Sequence, residues 1–188
     1  MTSGGIQPCV PPEPTDEELI RRLARGDVGA LAPLYVRHRG VVMTVLRQRV
    51  TSSADLEDLC HEVFLTLREV ARRHRPGASV RSFLVGIAVQ KSLKSRFRSW
   101  LQALREGAGE APGREPSVAP HERLDVHLDA QRLLGALPEE WRLVVALNLI
   151  EGWTAEEIAE SLGVRSNTVY TRLHRARARL RALTGEEP

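Results

Sequence analysis

The stretch from Trp153 to Arg181, WTAEEIAESLGVRSNTVYTRLHRARARLR, reads as two short helices joined by a glycine turn, the second carrying a row of arginines and no acid. Thr154 and Glu157 have the S/T-x-x-E spacing of a capping box, in which the threonine oxygen accepts from a first-turn N–H and the glutamate reaches back. Trp153, just before the cap, is placed to staple onto Ile158. Ile158, Ala159 and Leu162 make an apolar edge, Gly163 supplies the permissive backbone where the helix stops, and Ser166 is expected to cap the next helix. There Val169, Leu173, Ala176 and Leu180 recur at steps of four, three and four, a narrow stripe for a core. Arg172, Arg175 and Arg179 flank it on one side, Arg177 and Arg181 on the other. A basic second helix after a short glycine turn is what a helix-turn-helix needs to enter a major groove. The plain alternative is a helical hairpin with a solvated arginine face, but such faces ordinarily carry balancing acids.

Working back along the chain, the 188 residues suffice for one or two small domains, and 42% hydrophobic content without alternating β patterns points to an all-α fold. Net charge is only +3, so its distribution matters more than its sum. No acid occurs between Glu69 and Glu106, while Arg72, Arg73, Arg75, Arg81, Lys91, Lys94, Arg96, Arg98 and Arg105 all do. Acids gather instead at Glu13 to Glu18 and Asp55 to Glu62, so different faces suit a nucleic acid and a protein.

The proline- and glycine-rich residues 1–14 are expected to be a disordered tail. Thr15 and Glu18 repeat the capping spacing ahead of Leu19, Ile20 and Leu23, with Gly26 ending a first helix. Asp27 can cap a second helix through Leu34, Tyr35, Val42 and Leu46, in which Pro33 requires a late start, a kink or a lost hydrogen bond. Ser52 or Ser53 opens a third, with Leu56, Leu59, Cys60, Val63, Phe64 and Leu67 inward and Asp55, Asp58 and Glu62 outward. His74 to Ser79 is a loop, and a fourth helix runs from Val80 through Leu84, Ile87 and Ala88 toward Phe97 or beyond. Gly107, Gly109, Pro112, Gly113, Pro116 and Pro120 mark a flexible linker between two domains. Leu124, Leu128, Leu133 and Leu134 then suggest a helix, and Pro138 starts another that Gly152 closes.

Enzyme chemistry finds no footing. His61-Glu62 begins like a zinc-protease HExxH, but Leu65 stands where the second histidine must be. No Gly-rich phosphate loop, GxSxG elbow or shared histidine ligand spacing occurs, so no cofactor and no metal is expected. Cys9 and Cys60 form neither a disulfide framework nor a zinc set, and no signal peptide or run long enough to span a bilayer is seen, which fits the cytoplasm and no membrane insertion. No further domain is expected after the last helix, since the chain stops at Pro188.

In joint order the residues resemble a known family, the extracytoplasmic-function (ECF) sigma factors of bacterial RNA polymerase, within the sigma-70 family. The first domain carries Gly26-Asp27, Leu34-Tyr35, Asp58-Leu59, Glu62-Val63-Phe64-Leu65, Leu84 and Ile87-Ala88. The second carries Leu137-Pro138, Arg142, Glu157-Ile158-Ala159, Leu162-Gly163, Thr168-Val169, Arg172-Leu173 and Arg175-Ala176-Arg177. The resemblance implies a region 2 domain over 15–98, a linker over 99–123 and a region 4 domain over 124–184. It implies contact with core polymerase through Asp58, His61 and Glu62, with Phe64 in the core. Arg75, Ser79, Arg81, Gln90, Lys94 and Arg98 would read and open the minus-ten element. Arg165, Ser166, Asn167, Tyr170, Thr171, Arg172, Arg175 and Arg179 would read the minus-thirty-five element. Core RNA polymerase, promoter DNA and an anti-sigma factor are the implied partners. Val89-Gln90 and Lys94 depart from the family's frequent residues and suggest an altered minus-ten preference, while Phe83, Tyr170 and His61 are further departures, Tyr170 standing where a lysine is common and His61 where a glutamine is. A free-standing helix-turn-helix regulator is the other reading, though such proteins usually place a sensing or dimerisation domain ahead of the DNA-binding one.

Overall fold

The computed structural model describes residues 13–50, 53–105 and 132–184, and every regular element among them is helical. The expectations for the tail over 1–12, most of the linker, the helix at Leu124 and Leu128, and residues 185–188 lie outside the described residues.

Helix α1, Asp16–Ala24, begins where the spacing predicts, with the Thr15 side chain accepting from the Glu18 N–H at 3.3 Å. Asp27 caps a single 3₁₀ turn, Val28–Ala30, through the Gly29 N–H at 3.0 Å rather than capping a long helix. Helix α2, Leu31–Arg47, therefore starts late, and Pro33 falls in its first turn, where its missing N–H has no partner to lose. Helix α3 is Ser53–Val70, followed by a 3₁₀ turn at Ala71–Arg73. Helix α4, Val80–Arg105, runs past Phe97 to 26 residues. Helices α2, α3 and α4 pack against one another with α1 alongside, around Leu34, Val42, Leu46, Val63, Leu67 and Leu84. Each such fully buried aliphatic side chain contributes about 1.5–3 kcal/mol.

The second half begins, in the described residues, with a helical turn at 132–135. Pro138 then stands at the N-cap of α5, Glu139–Val145. That helix widens into a π segment, Ala146–Ile150, whose Glu151 N–H reaches back five residues to the Ala146 carbonyl at 3.3 Å. Gly152, at φ +71°, turns the chain into α6, Ala155–Leu162. Both arms of the Thr154/Glu157 capping box form, and Gly163 closes the helix in the left-handed region at φ +66°. Helix α7, Ser166–Thr184, begins at Ser166 itself, with the Arg165 carbonyl accepting from Thr168 and Val169. Ser166 is thus the first helical residue rather than the cap. Val169, Leu173 and Ala176 are buried as the stripe requires, while Leu180 is half-buried.

The two halves also pack on each other. Helix α4 lies against α6, the π segment lies against α2, and one continuous buried cluster runs from Leu19 to Ala176.

Candidate nucleic-acid and polymerase interfaces

On α3 the acidic face is outward, but its members differ. Asp58 and His61 are exposed. The His61 ring stacks on Tyr35 with centroids 5.9 Å apart, and Tyr35 in turn packs on buried Phe64 at 4.8 Å. Phe64 is in the core, as expected. Glu62 is tied down by Lys91 at 2.7 Å and lies 4.0 Å from Arg98, so part of its charge is spent within the fold. Arg39 bridges from α2 to Glu57 at 2.5 Å and to the Tyr35 hydroxyl at 3.1 Å. Leu65, one turn beyond His61, and Val36, next to Tyr35, are 54% and 79% exposed. An acidic face set among exposed aliphatic side chains is the make-up of a protein-binding patch.

Within the acid-free stretch some polar and cationic side chains are open and others are held. Arg75, Gln90, Lys94 and Arg98 are exposed, and Gln90, Lys94 and Arg98 follow one another at steps of four along one face of α4. Ser79 is exposed, and its hydroxyl accepts from the Ser82 N–H at 3.2 Å, opening α4. Arg72, Arg81, Lys91 and Arg96 are instead occupied. Arg72 donates to the Ala24 carbonyl at 3.0 Å and fastens the end of α1. Arg81 donates to both the carbonyl and the carboxylate of Glu151, at 3.0 and 2.9 Å, and its guanidinium lies 4.8 Å over the Trp153 ring. Arg96 holds the Glu139 carboxylate at 2.5 Å.

Arg165, just before α7, is exposed, as are Asn167, Arg175 and Arg179 on it, with Ser166 half-buried. The Thr171 hydroxyl turns back to the Asn167 carbonyl at 2.8 Å. Tyr170, 53% exposed, donates to Glu156 at 2.9 Å, which raises its hydroxyl above the ordinary tyrosine value. Arg172 pairs with Glu140 at 2.7 Å. On the opposite flank Arg177 donates to Asn148 at 3.2 Å. The helix thus offers a cationic outer face at its start and along its length, with two of the proposed readers held by acids of neighbouring helices.

Sequence reasoning missed those partners, and with them Arg49, Thr44, Glu139 and Glu151. No local signal could have found them, since each pairing joins residues far apart in the chain. Among the described residues no group of His, Cys, Asp and Glu could hold a metal ion. No helix among them is long and apolar enough to cross a membrane.

Residues 34–102 match the family described as sigma-70 region 2, and residues 127–180 match sigma-70, region 4. The ECF RNA polymerase sigma factor SigE of Mycolicibacterium smegmatis is 32% identical over 180 residues, covering 90% of this chain and 69% of that protein. The ECF RNA polymerase sigma factor SigM of Mycobacterium tuberculosis is 30% identical, covering 92% of this chain and 86% of that protein. Among solved structures, that of CnrH in complex with the cytosolic domain of CnrY aligns with a TM-score of 0.66 at 25% identity, covering 92% of this chain and 99% of that one. The sigma factor RpoE of Bartonella quintana, solved with the anti-sigma factor NepR, shares the fold with a TM-score of 0.69 at 17% identity, covering 86% of this chain and 100% of that one. The two-domain helical architecture, the cationic second helix of the helix-turn-helix and these likenesses agree: the chain belongs to the ECF sigma factors, which bind core RNA polymerase and promoter DNA.

Proposed function

We propose that this sigma factor divides promoter recognition between its halves along the lines of charge and exposure described above. Residues 15–98 form the polymerase-binding and minus-ten domain, 99–123 a linker, and 124–184 the minus-thirty-five domain. The observation that carries this division is the pair of separate exposed cationic faces, one on α4 and one on α7, with an acidic, partly aliphatic face on α3 ahead of both in sequence.

Asp58 and His61 contact the clamp helices of the polymerase, and Glu62 contributes while keeping Lys91 in place. Arg75, Gln90, Lys94 and Arg98 follow the backbone of the melted strand at the minus-ten element, with Ser79 and Arg81 at the loop where a base leaves the stack. Arg165, Ser166, Asn167, Tyr170 and Thr171 at the start of α7 enter the major groove of the minus-thirty-five element, and Arg172, Arg175 and Arg179 reach phosphates or base edges. Because an RNA polymerase subunit works on the chromosome, the protein acts in the cytoplasm. An anti-sigma factor is the expected regulator, in line with the complexes in which CnrH and the Bartonella protein were solved.

Selection from a randomised promoter library by reconstituted holoenzyme tests the reading. The expected result is two short conserved blocks separated by a fixed spacer. Arg175→Ala should reduce transcription from the selected promoter by about 5- to 150-fold, the worth of a bidentate arginine to guanine, with core affinity unchanged. A single conserved block, or loss of core binding with Arg175→Ala, would overturn the division.

A further inference from the structure

The carboxylates that hold the two halves together meet the first domain at its basic stretch. Glu139, at the start of α5, lies between Arg49 at 3.1 Å and Arg96 at 2.5 Å, and the Arg49 Nε–H donates to the buried Ser92 hydroxyl at 2.7 Å. Glu151, at the end of the π segment, accepts from Arg81 at 2.9 Å and from the Thr44 hydroxyl at 2.7 Å. Trp153 slides under the same arginine. Both acids are largely withdrawn from water, with side-chain exposures of 22% and 16%. Arg49 is covered further, to 9%. Two half-buried carboxylates, each gripped by guanidinium N–H groups and one also by a hydroxyl, have the coordination of bound phosphates. The guanidinium edges that hold them cannot serve nucleic acid at the same time. The π segment is what makes this possible, because its extra residue and the left-handed Gly152 bring Glu151 and Trp153 round toward α2 and α4.

We propose that Glu139 and Glu151 act as phosphate mimics that latch the second domain over part of the minus-ten grip in the unbound protein, and that the phosphates of melted DNA take their place when the domains part. This rests on the assignment of the minus-ten grip given above. Arg81 then has two successive partners, Glu151 in the latched chain and a phosphate in the open one.

The test uses the full chain carrying Glu139→Gln and Glu151→Gln. A control, Glu17→Gln with Glu69→Gln, changes the charge equally at exposed sites on α1 and α3. Small-angle scattering reads domain separation, and fluorescence anisotropy with labelled poly-dT reads access to the grip. The expected result is a larger radius of gyration than in wild type and control, with poly-dT binding tighter than in the control by about tenfold. An unchanged radius would overturn the latch while leaving the minus-ten assignment untouched. Expansion with no more gain in affinity than the control would overturn both the masking and the assignment of Arg81 to DNA. Should the double variant lose helical circular dichroism, Glu151→Gln alone carries the same readouts. In either case the charge exchange Arg81→Glu with Glu151→Arg should restore the compact radius, and its failure to do so would count against the pair as the latch.

Discussion

The Glu157 carboxylate closes the start of α6 from both sides, accepting from the Thr154 N–H at 2.8 Å and from its hydroxyl at 3.1 Å. Those bonds hold its carboxyl below the ordinary glutamate value of 4.5. A carboxylate lowered in the fold stabilises above its unfolded value and stops doing so as pH falls through the folded one. Glu157→Ala should therefore lower the melting temperature at neutral pH by about 2–4 °C, in keeping with a cap worth about 1 kcal/mol. The gap to wild type should close below pH 4.5, and a gap that persists in melts at low pH would show that the carboxylate is not the stabilising form. Thr154 and Glu157 were legible in the sequence because a capping box is a local object set by spacing alone. Tyr170 and Arg172 were legible only as members of a cationic face. Their partners Glu156 and Glu140 lie 14 and 32 residues away, at distances that follow from how the helices pack.

Among the elements, α3 and the turn between α6 and α7 bear the clearest expectations. Asp58 is exposed and, among the described residues, makes no ion pair, whereas Glu62 anchors Lys91. Asp58→Lys should therefore weaken core polymerase binding while leaving stability and minus-thirty-five duplex binding as they were. Glu62→Lys should weaken core binding and lower the melting temperature as well. Equal core affinity for wild type and Asp58→Lys would return that acid to the role of a solvated charge. At the turn, Gly163 sits at φ +66° with open space where a Cβ would go, so the cost of a side chain is purely one of backbone. Gly163→Ala should cost about 1–2 kcal/mol in chemical denaturation, and Gly163→Asn less. Apolar periodicity made α3, α6 and α7 readable, yet the start of α2 was not. Asp27 could cap either a 3₁₀ turn or an α-helix, and only the packing of Ala30 and Leu34 chose between them.

For the molecule as a whole, the approach of α4 to α6 is one of the contacts that join the halves. A Cβ on Gly86 would lie 3.7 Å from the Ser161 carbonyl, so alanine fits there and a long side chain does not. Gly86→Leu should separate the halves, raising the radius of gyration in scattering while the helical circular dichroism stays close to that of wild type. Loss of helical signal in step with expansion would mean that the halves fold as one unit. Local chemistry written along the chain determined the all-α class, most helix starts and stops, the inward stripes and the two cationic stretches, because caps, glycine turns and periodicity act within a few residues. Tertiary structure alone decided which cations remain open and which are held, for Arg49, Arg81, Arg96 and Arg172 meet Glu139, Glu151 and Glu140 across sequence separations that no local pattern encodes. A charge reveals its sign in the sequence, but its partner is chosen by the geometry that brings two surfaces together.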